Sequence, residues 1–181
     1  FIDISPKLAD KDDYKEIIDK MCEFIPEGTD YIVGPESRGY IFASPVAIKK
    51  GIGFIPVRKK GKLPDDLVYS AEYEKEYGVD VICLPKNDNY EGKNFYVMDD
   101  VLATGGTLQA CKDLIKQAGG NFVGAGFYIN IKALNNVTFK FTSLYAFLTT
   151  LQNNSDGKIK KPFVFTISSL INSAWLSSIF E

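Results

Sequence analysis

The chain has 181 residues, 45% of them hydrophobic and 24% charged, and a formal net charge of −2. This length and composition are typical of one globular domain that buries a substantial core. Because Lys and Arg are not in excess, no general positive field is available to hold a nucleic acid, and an anionic partner would have to meet a local basic cluster. We therefore expect a small anionic ligand and no nucleic-acid partner.

The side chains available for chemistry are restricted. The chain contains no His, which excludes Ser-His and Cys-His nucleophile pairs and the usual histidine metal site, so acid–base steps fall to carboxylates, Lys or Tyr. Cys22, Cys83 and Cys111 are far apart in sequence, a pattern that argues against a disulfide framework or a zinc site. We expect reduced thiols and a cytoplasmic protein.

Membrane association is not expected either. The first residues lack the basic and apolar regions of a secretory signal. Residues 163–180 are apolar, but Ser, Thr and Asn interrupt them too often for a membrane span. We expect this stretch to form a packed C-terminal helix or a pair of strands.

Predicted helices and strands alternate in the first third of the chain. Residues 10–24 carry apolar side chains at helical spacing and begin with acidic residues that suit a helix N-terminus. Residues 31–33 are a short apolar strand, residues 41–50 a helix that ends at Gly51, and residues 54–57 a second buried strand.

The same alternation continues further on. Residues 94–98 are a predicted strand, followed by a Gly-rich loop, a helix over residues 108–118 and a strand over residues 122–131. Between the second and third strands, residues 67–84 mix Tyr, Val and Ile with acidic side chains, which suits a two-stranded excursion off the sheet and a candidate lid.

This order of elements predicts an α/β fold with a mostly parallel central sheet flanked by helices. Ligands should gather at the carboxyl ends of the strands. We expect residues 1–148 to form the main domain and residues 149–181 to form a C-terminal extension of unknown role, packed on the same domain.

The most specific motif follows the third predicted strand, which ends in Asp99 and Asp100. After two apolar residues comes the phosphate loop, residues 103–107, which opens a helix. Its small residues let successive N–H groups face one point at a helix N-terminus, a suitable site for a phosphate monoester, and the two carboxylates suit the cis-diol of a ribose. An ordinary capped turn would share some of these residues. Because no Lys follows the glycines, the pattern is not that of an ATPase loop.

Residues 97–107 resemble the motif that binds 5-phosphoribosyl-1-diphosphate (PRPP) in type I phosphoribosyltransferases. Other segments between residue 1 and about residue 147 resemble the adenine phosphoribosyltransferase family. The resemblance implies that family's fold with a small lid or hood, transfer of the phosphoribosyl group from PRPP to adenine in purine salvage, and AMP as product. It also implies Mg²⁺ held through PRPP without direct protein ligands, and a cytoplasmic homodimer.

The resemblance assigns residues as well as an activity. Residues 34–40 are similar to the family's diphosphate loop, and residues 58–64, the basic segment, to a stretch that helps to hold the diphosphate. The residues implied for PRPP or AMP are Asp99, Asp100, Ala103, Thr104, Gly105, Gly106 and Thr107. Those implied for the diphosphate are Ser37, Arg38, Arg58, Lys59 and Lys62.

The remaining assignments concern the base. Aligned on the family's flexible loop, residues 73–78 place the catalytic carboxylate at Glu76, with Glu72 and Glu74 as rivals. Phe1, Ile2 and Tyr77 are implied as base-binding or lid residues, although Ile2 stands where the family commonly has Arg or Lys.

Two other functions fit the same sequence. One is a phosphoribosyltransferase for hypoxanthine, guanine or xanthine. The other is a PRPP-sensing regulator without turnover, which the absence of a DNA-binding helix pattern disfavours.

Overall fold

The structure, a computed structural model, describes residues 3–75 and 78–131, together with the backbone of residues 143–148 and 163–168. The α-helices are α1 (Ser5–Ala9), α2 (Lys11–Glu23), α3 (Gly39–Lys50) and α4 (Gly106–Gln117). The strands are β1 (Tyr31–Pro35), β2 (Gly53–Lys59), β3 (Val68–Lys75), β4 (Gly78–Pro85), β5 (Asn94–Leu102), β6 (Asn121–Asn130), β7 (Ser143–Leu148) and β8 (Phe163–Ser168).

These strands form one eight-stranded sheet in the order β3-β4-β2-β1-β5-β6-β7-β8. The central strands β2, β1, β5, β6 and β7 are parallel to their neighbours within that group, whereas β4 and β8 join the two ends in antiparallel fashion. The predicted α/β class with a mostly parallel centre is confirmed.

Two hydrophobic cores lie on opposite faces of the sheet, and β5 contributes alternately to both. Phe95 and Val97 pack in the core under α4. Tyr96 and Met98 pack in the core formed with α2 and α3. All four are at most 1% exposed, so this strand is apolar on both faces, as expected for a parallel strand covered on both sides by helices.

The helix boundaries follow from local chemistry. Asp10 caps α2, and its Oδ1 accepts hydrogen bonds from Asp12 N and Asp13 N at 2.9 Å. Gly51 ends α3 in the left-handed conformation with a φ of 68°. The short helix α1 was not predicted; Ile4, just before it, is buried in the core with α2 and α3.

Two predictions about the strands need correction. β5 continues to Leu102, so the acidic pair lies within the strand and does not follow it. Residues 68–75 and 78–85, β3 and β4, do pair with each other and are called the lid hairpin, but β4 also pairs with β2 at Arg58↔Cys83 and Lys59↔Ile82. The hairpin therefore extends the sheet, because β2 runs past its pairing with β1 and offers free backbone groups there.

The C-terminal part is described only by two strands. β8 pairs antiparallel with β7, so residues 163–168 form a strand, but its partner comes from residues 143–148 and not from within residues 163–180. The domain division at residue 148 stays a prediction. Within the described ranges, no helix is both long and apolar enough to span a membrane.

Candidate active site

A cleft of about 400 Å³ opens at the carboxyl ends of β1, β2 and β5, as predicted for this class of sheet. The lid hairpin and the start of α4 complete its walls. The predicted site residues that line it are Ser37, Arg38, Lys59, Asp99, Asp100 and Thr107. Side chains from three separate predicted segments of the sequence thus meet at one place.

The phosphate loop leads into α4 through Gly105, which occupies the N-cap position with a φ of 88°. An L-residue with a side chain rarely adopts this conformation, so glycine is required by the turn itself. Gly105 O accepts the first helical hydrogen bond, from Gln109 N at 2.9 Å. Because glycine has no side chain to cap the helix, the N–H groups of the first turn suit an external anion.

The acidic pair concentrates negative charge at the floor of the cleft. The Asp100 side chain is only 5% exposed, and Asp100 N donates a hydrogen bond to Asp99 Oδ1 at 2.8 Å. Burial, reinforced by the negative charge of Asp100, raises the pKa of Asp99 well above its usual value. Such a pair would be stabilised by a cation or by hydroxyl donors.

Arg38 is the cationic partner of this pair. Its Nε lies 2.7 Å from Asp100 Oδ2, although the approach does not have the angles of a hydrogen bond, and Oδ2 makes no such bond to any described residue. Arg38 stands at the N-cap of α3, directly after a cis peptide bond between Glu36 and Ser37. Ser37 is exposed beside it.

The basic segment begins at the end of β2. Arg58 Nε donates to Glu36 Oε2 at 3.1 Å, and Lys59 N donates to the same oxygen at 3.0 Å. These two bonds, the one from Lys59 N contributing most, lower the pKa of Glu36. Lys62 is exposed in the following turn and does not line the cleft.

A second cleft, of about 480 Å³, separates the lid hairpin from the phosphate loop. Glu72 and Glu74 line it together with Thr104 and Gly106. The two elements approach closely, since a Cβ on Gly106 would lie 3.0 Å from Glu74 O and 3.3 Å from Tyr73 Cδ2. Thus the rivals for the catalytic carboxylate face a different cleft from Asp99 and Asp100.

Sequence reasoning missed three residues of this region. Glu36 and Tyr73 line the first cleft, and Tyr40 OH donates to Val57 O at 2.9 Å, which ties α3 to β2. Burial raises the pKa of Tyr40 to about 12. Glu36 and Tyr40 belong to residues 34–40, so their position beside Arg38 was the available signal. Phe1, Ile2, Glu76 and Tyr77 lie outside the described residues.

Comparison with known proteins agrees with this geometry. The model of the phosphoribosyl transferase domain matches residues 7–133. The chain therefore has the fold of a phosphoribosyltransferase.

Individual relatives indicate which phosphoribosyltransferases this chain is similar to in sequence and structure. The adenine phosphoribosyltransferase of Streptococcus uberis is 45% identical over 136 residues, which cover 75% of this chain and 78% of that protein. Among solved structures, that enzyme from Thermoanaerobacter pseudethanolicus has a TM-score of 0.68 at 37% identity, covering 74% of this chain and 78% of its own. The Saccharomyces cerevisiae enzyme, solved with an imino-altritol bisphosphate and adenine, has a TM-score of 0.68 at 39% identity with the same coverage. This chain belongs to the adenine phosphoribosyltransferase family.

Proposed function

We propose that the protein transfers the 5-phosphoribosyl group of PRPP to adenine, giving AMP and diphosphate. The observation that carries the proposal is the meeting of Thr107 from the phosphate loop, the acidic pair and Arg38 around one cleft. Thr104 and Gly106 of the same loop line the second cleft, which shares Tyr73 with the first. PRPP carries a phosphate monoester, a ribose diol and a diphosphate, and each of these groups has a chemically suited partner there.

The phosphate and ribose are assigned to β5 and α4. The N–H groups at the start of α4, with the hydroxyls of Thr104 and Thr107, would hold the 5-phosphate. Asp99 and Asp100 would accept hydrogen bonds from the ribose hydroxyls. Their negative charge would also stabilise the positive charge that develops on the ribose as diphosphate leaves.

The diphosphate is assigned to Ser37, Arg38 and the basic segment. The forks of Arg38 and Arg58 suit its oxygens, and Lys59 and Lys62 would add mobile positive charge. These groups would stabilise the negative charge that develops on the leaving oxygen as its bond to the anomeric carbon breaks.

Mg²⁺ fits this donor set as a companion of the substrate. Within residues 3–75 and 78–131, no group of three or more Asp, Glu, Cys or His side chains could hold a metal. Mg²⁺ usually keeps several waters and binds through substrate phosphates, so it would be held through PRPP, while Asp99 and Asp100 contact the ribose hydroxyls. When bound with PRPP, the ion would neutralise charge on the leaving diphosphate.

The base is assigned to the segments around Glu76 and the N-terminus. As adenine N9 bonds to the anomeric carbon, the proton on the imidazole part of the base must leave, and Glu76 would accept it. Phe1, Ile2 and Tyr77 would contact or cover the base. Closure of the lid hairpin would keep water from the activated sugar.

The test is product formation by the whole chain. Incubation with adenine, PRPP and Mg²⁺ should yield AMP and diphosphate, whereas hypoxanthine, guanine and xanthine should yield little nucleotide. A preference for another purine would overturn the choice of adenine, and PRPP binding without any nucleotide would favour a regulator. We further propose that the protein is a cytoplasmic homodimer. Light scattering coupled to size-exclusion chromatography would test the dimeric assembly.

A further inference from the structure

We propose that Glu36 is a positioning residue that presents Arg58 and the backbone of Lys59 to the diphosphate. The inference rests on the proposed function, because it takes the cleft to be the diphosphate site. Glu36 is a carboxylate, and it lines a cleft that we assign to an anionic substrate.

The contacts of Glu36 join two segments that are far apart in sequence. Its Oε2 accepts from Arg58 Nε at 3.1 Å and from Lys59 N at 3.0 Å. Its own N–H donates to Val57 O at 2.9 Å. A single residue of the loop after β1 thus fixes both the main chain and the guanidinium at the end of β2.

The geometry leaves Arg58 able to bind a second anion. The bond to Glu36 uses Nε, so the two terminal amino groups of the guanidinium are not needed for it, and a guanidinium can serve two acceptors at once through its fork. The Arg58 side chain is 34% exposed and that of Glu36 is 18% exposed. Arg58 does not itself line the cleft, but Glu36 holds it beside Lys59, and Glu36 and Lys59 both do.

If Glu36 acted only through its charge, removing that charge should strengthen the binding of an anion. Its charge lies in the wall of a cleft assigned to a diphosphate, so neutralising it should strengthen anion binding by simple repulsion relief. If Glu36 instead orients Arg58, neutralising it should weaken anion binding. The sign of the change therefore distinguishes a positioning role from a through-space one.

The experiment measures KM for PRPP, kcat and the Kd of diphosphate with Mg²⁺ in the whole chain. Glu36→Gln should raise KM for PRPP and the Kd of diphosphate about ten-fold, the usual scale for loss of a charge-assisted contact, with KM for adenine changed less than about two-fold. The value of kcat should fall as well, because Arg58 is also assigned to the charge that develops on the leaving oxygen. In an Arg58→Gln background, Glu36→Gln should add almost nothing, because its effect acts through Arg58.

Asp30→Asn is the matched control. Asp30 also accepts a backbone N–H at the start of a strand, from Asn94 at 2.8 Å, and pairs with the adjacent Lys93 at 3.4 Å, but at the opposite end of the sheet. Both substitutions should lower Tm, and only Glu36→Gln should change PRPP and diphosphate binding. Unchanged or tighter diphosphate binding, or an undiminished effect without Arg58, would overturn the inference.

A second variant covers failure of Glu36→Gln to fold. Glu36→Asp keeps the charge but is one methylene shorter, so it cannot hold both partners in place and should also raise KM for PRPP; an unchanged KM would again overturn the inference. Failure of the proposed function is distinguishable from all of these results, because the unmodified chain would then form no AMP.

Discussion

Arg38 Nε lies 2.7 Å from Asp100 Oδ2, although the two side chains differ widely in exposure, at 44% for Arg38 and 5% for Asp100. A residue that we assign to the diphosphate is thereby paired with one that we assign to the ribose. The ion pair links two binding subsites across the cleft. The buried carboxylate of Asp100 depends on the pair more than the exposed guanidinium of Arg38 does.

The difference in exposure predicts asymmetric effects on stability. Arg38→Ala leaves a buried carboxylate without its cation and should lower the free energy of unfolding by about 1–2 kcal/mol. Asp100→Asn leaves Arg38 to be solvated and relieves repulsion with Asp99, so it should be nearly neutral or stabilising. Urea unfolding of the ligand-free protein measures both.

The double variant provides the control for this pair. Adding Asp100→Asn to Arg38→Ala should restore most of the lost stability, since no buried charge then remains unpaired. All three variants should weaken PRPP binding. Equal losses of stability from the two single substitutions would show that the ion pair does not behave as a buried carboxylate with an exposed partner.

The phosphate loop makes a separate prediction through its glycine. Gly105→Ala forces a side chain into a φ of 88°, which should cost about 1–2 kcal/mol and disturb the N–H groups that face the phosphate. Gly92 has a φ of 69° and open space around its Cβ position, away from the cleft, so Gly92→Ala should cost a similar amount of stability. Only Gly105→Ala should weaken PRPP in calorimetry with Mg²⁺; equal PRPP affinities of the two variants would contradict the assignment.

Much of this fold could be predicted from local patterns, and the limits of that prediction are physical. The apolar run at residues 94–98 identified β5, and Gly51 marked the end of α3, because burial and backbone conformation leave direct traces in sequence. Attachment of β4 to β2 left no such trace, since strand pairing depends on distant backbone groups.

The candidate site shows the same division. The phosphate loop and the acidic pair were predicted because their spacing carries the chemistry. The role of Glu36 was not predicted, because its partner Arg58 is 22 positions away in sequence and only the fold brings them together. The raised pKa of Asp99 likewise depends on its burial within β5, which residue type alone cannot reveal.

Asp99 should make the stability of the ligand-free protein depend on pH. In the unfolded chain its carboxyl group has a pKa of about 3.9, whereas in the folded protein burial and the charge of Asp100 raise that pKa. The folded state thus retains the proton to higher pH, so Asp99 destabilises the fold increasingly as pH rises from about 4 through the folded pKa. Asp99→Asn should raise Tm at neutral pH, and the gain should vanish near pH 4.

Asp30→Asn should change Tm in the direction opposite to Asp99→Asn when both are measured across the same pH range. The hydrogen bond from Asn94 N, with a smaller contribution from Lys93, lowers the pKa of Asp30, so its ionised form stabilises the fold above about pH 4, and this contribution is lost as pH falls through the folded pKa. The substitution should therefore lower Tm at neutral pH. Parallel profiles for Asp99→Asn and Asp30→Asn would refute the description of Asp99.

The lid makes the most direct prediction about turnover. Glu76→Gln should lower kcat by about 10²-fold to 10⁴-fold, the range for loss of a general acid–base group, and should leave the Kd of PRPP nearly unchanged because Glu76 is assigned to the base. Glu72→Gln and Glu74→Gln are matched controls on the same hairpin, since both residues are carboxylates to which no substrate group is assigned, and they line the second cleft rather than the first. Steady-state kinetics with adenine and PRPP should find kcat of these controls within about two-fold of the parent chain. If either control loses turnover while Glu76→Gln retains it, the proton acceptor is that residue and the alignment on residues 73–78 is wrong.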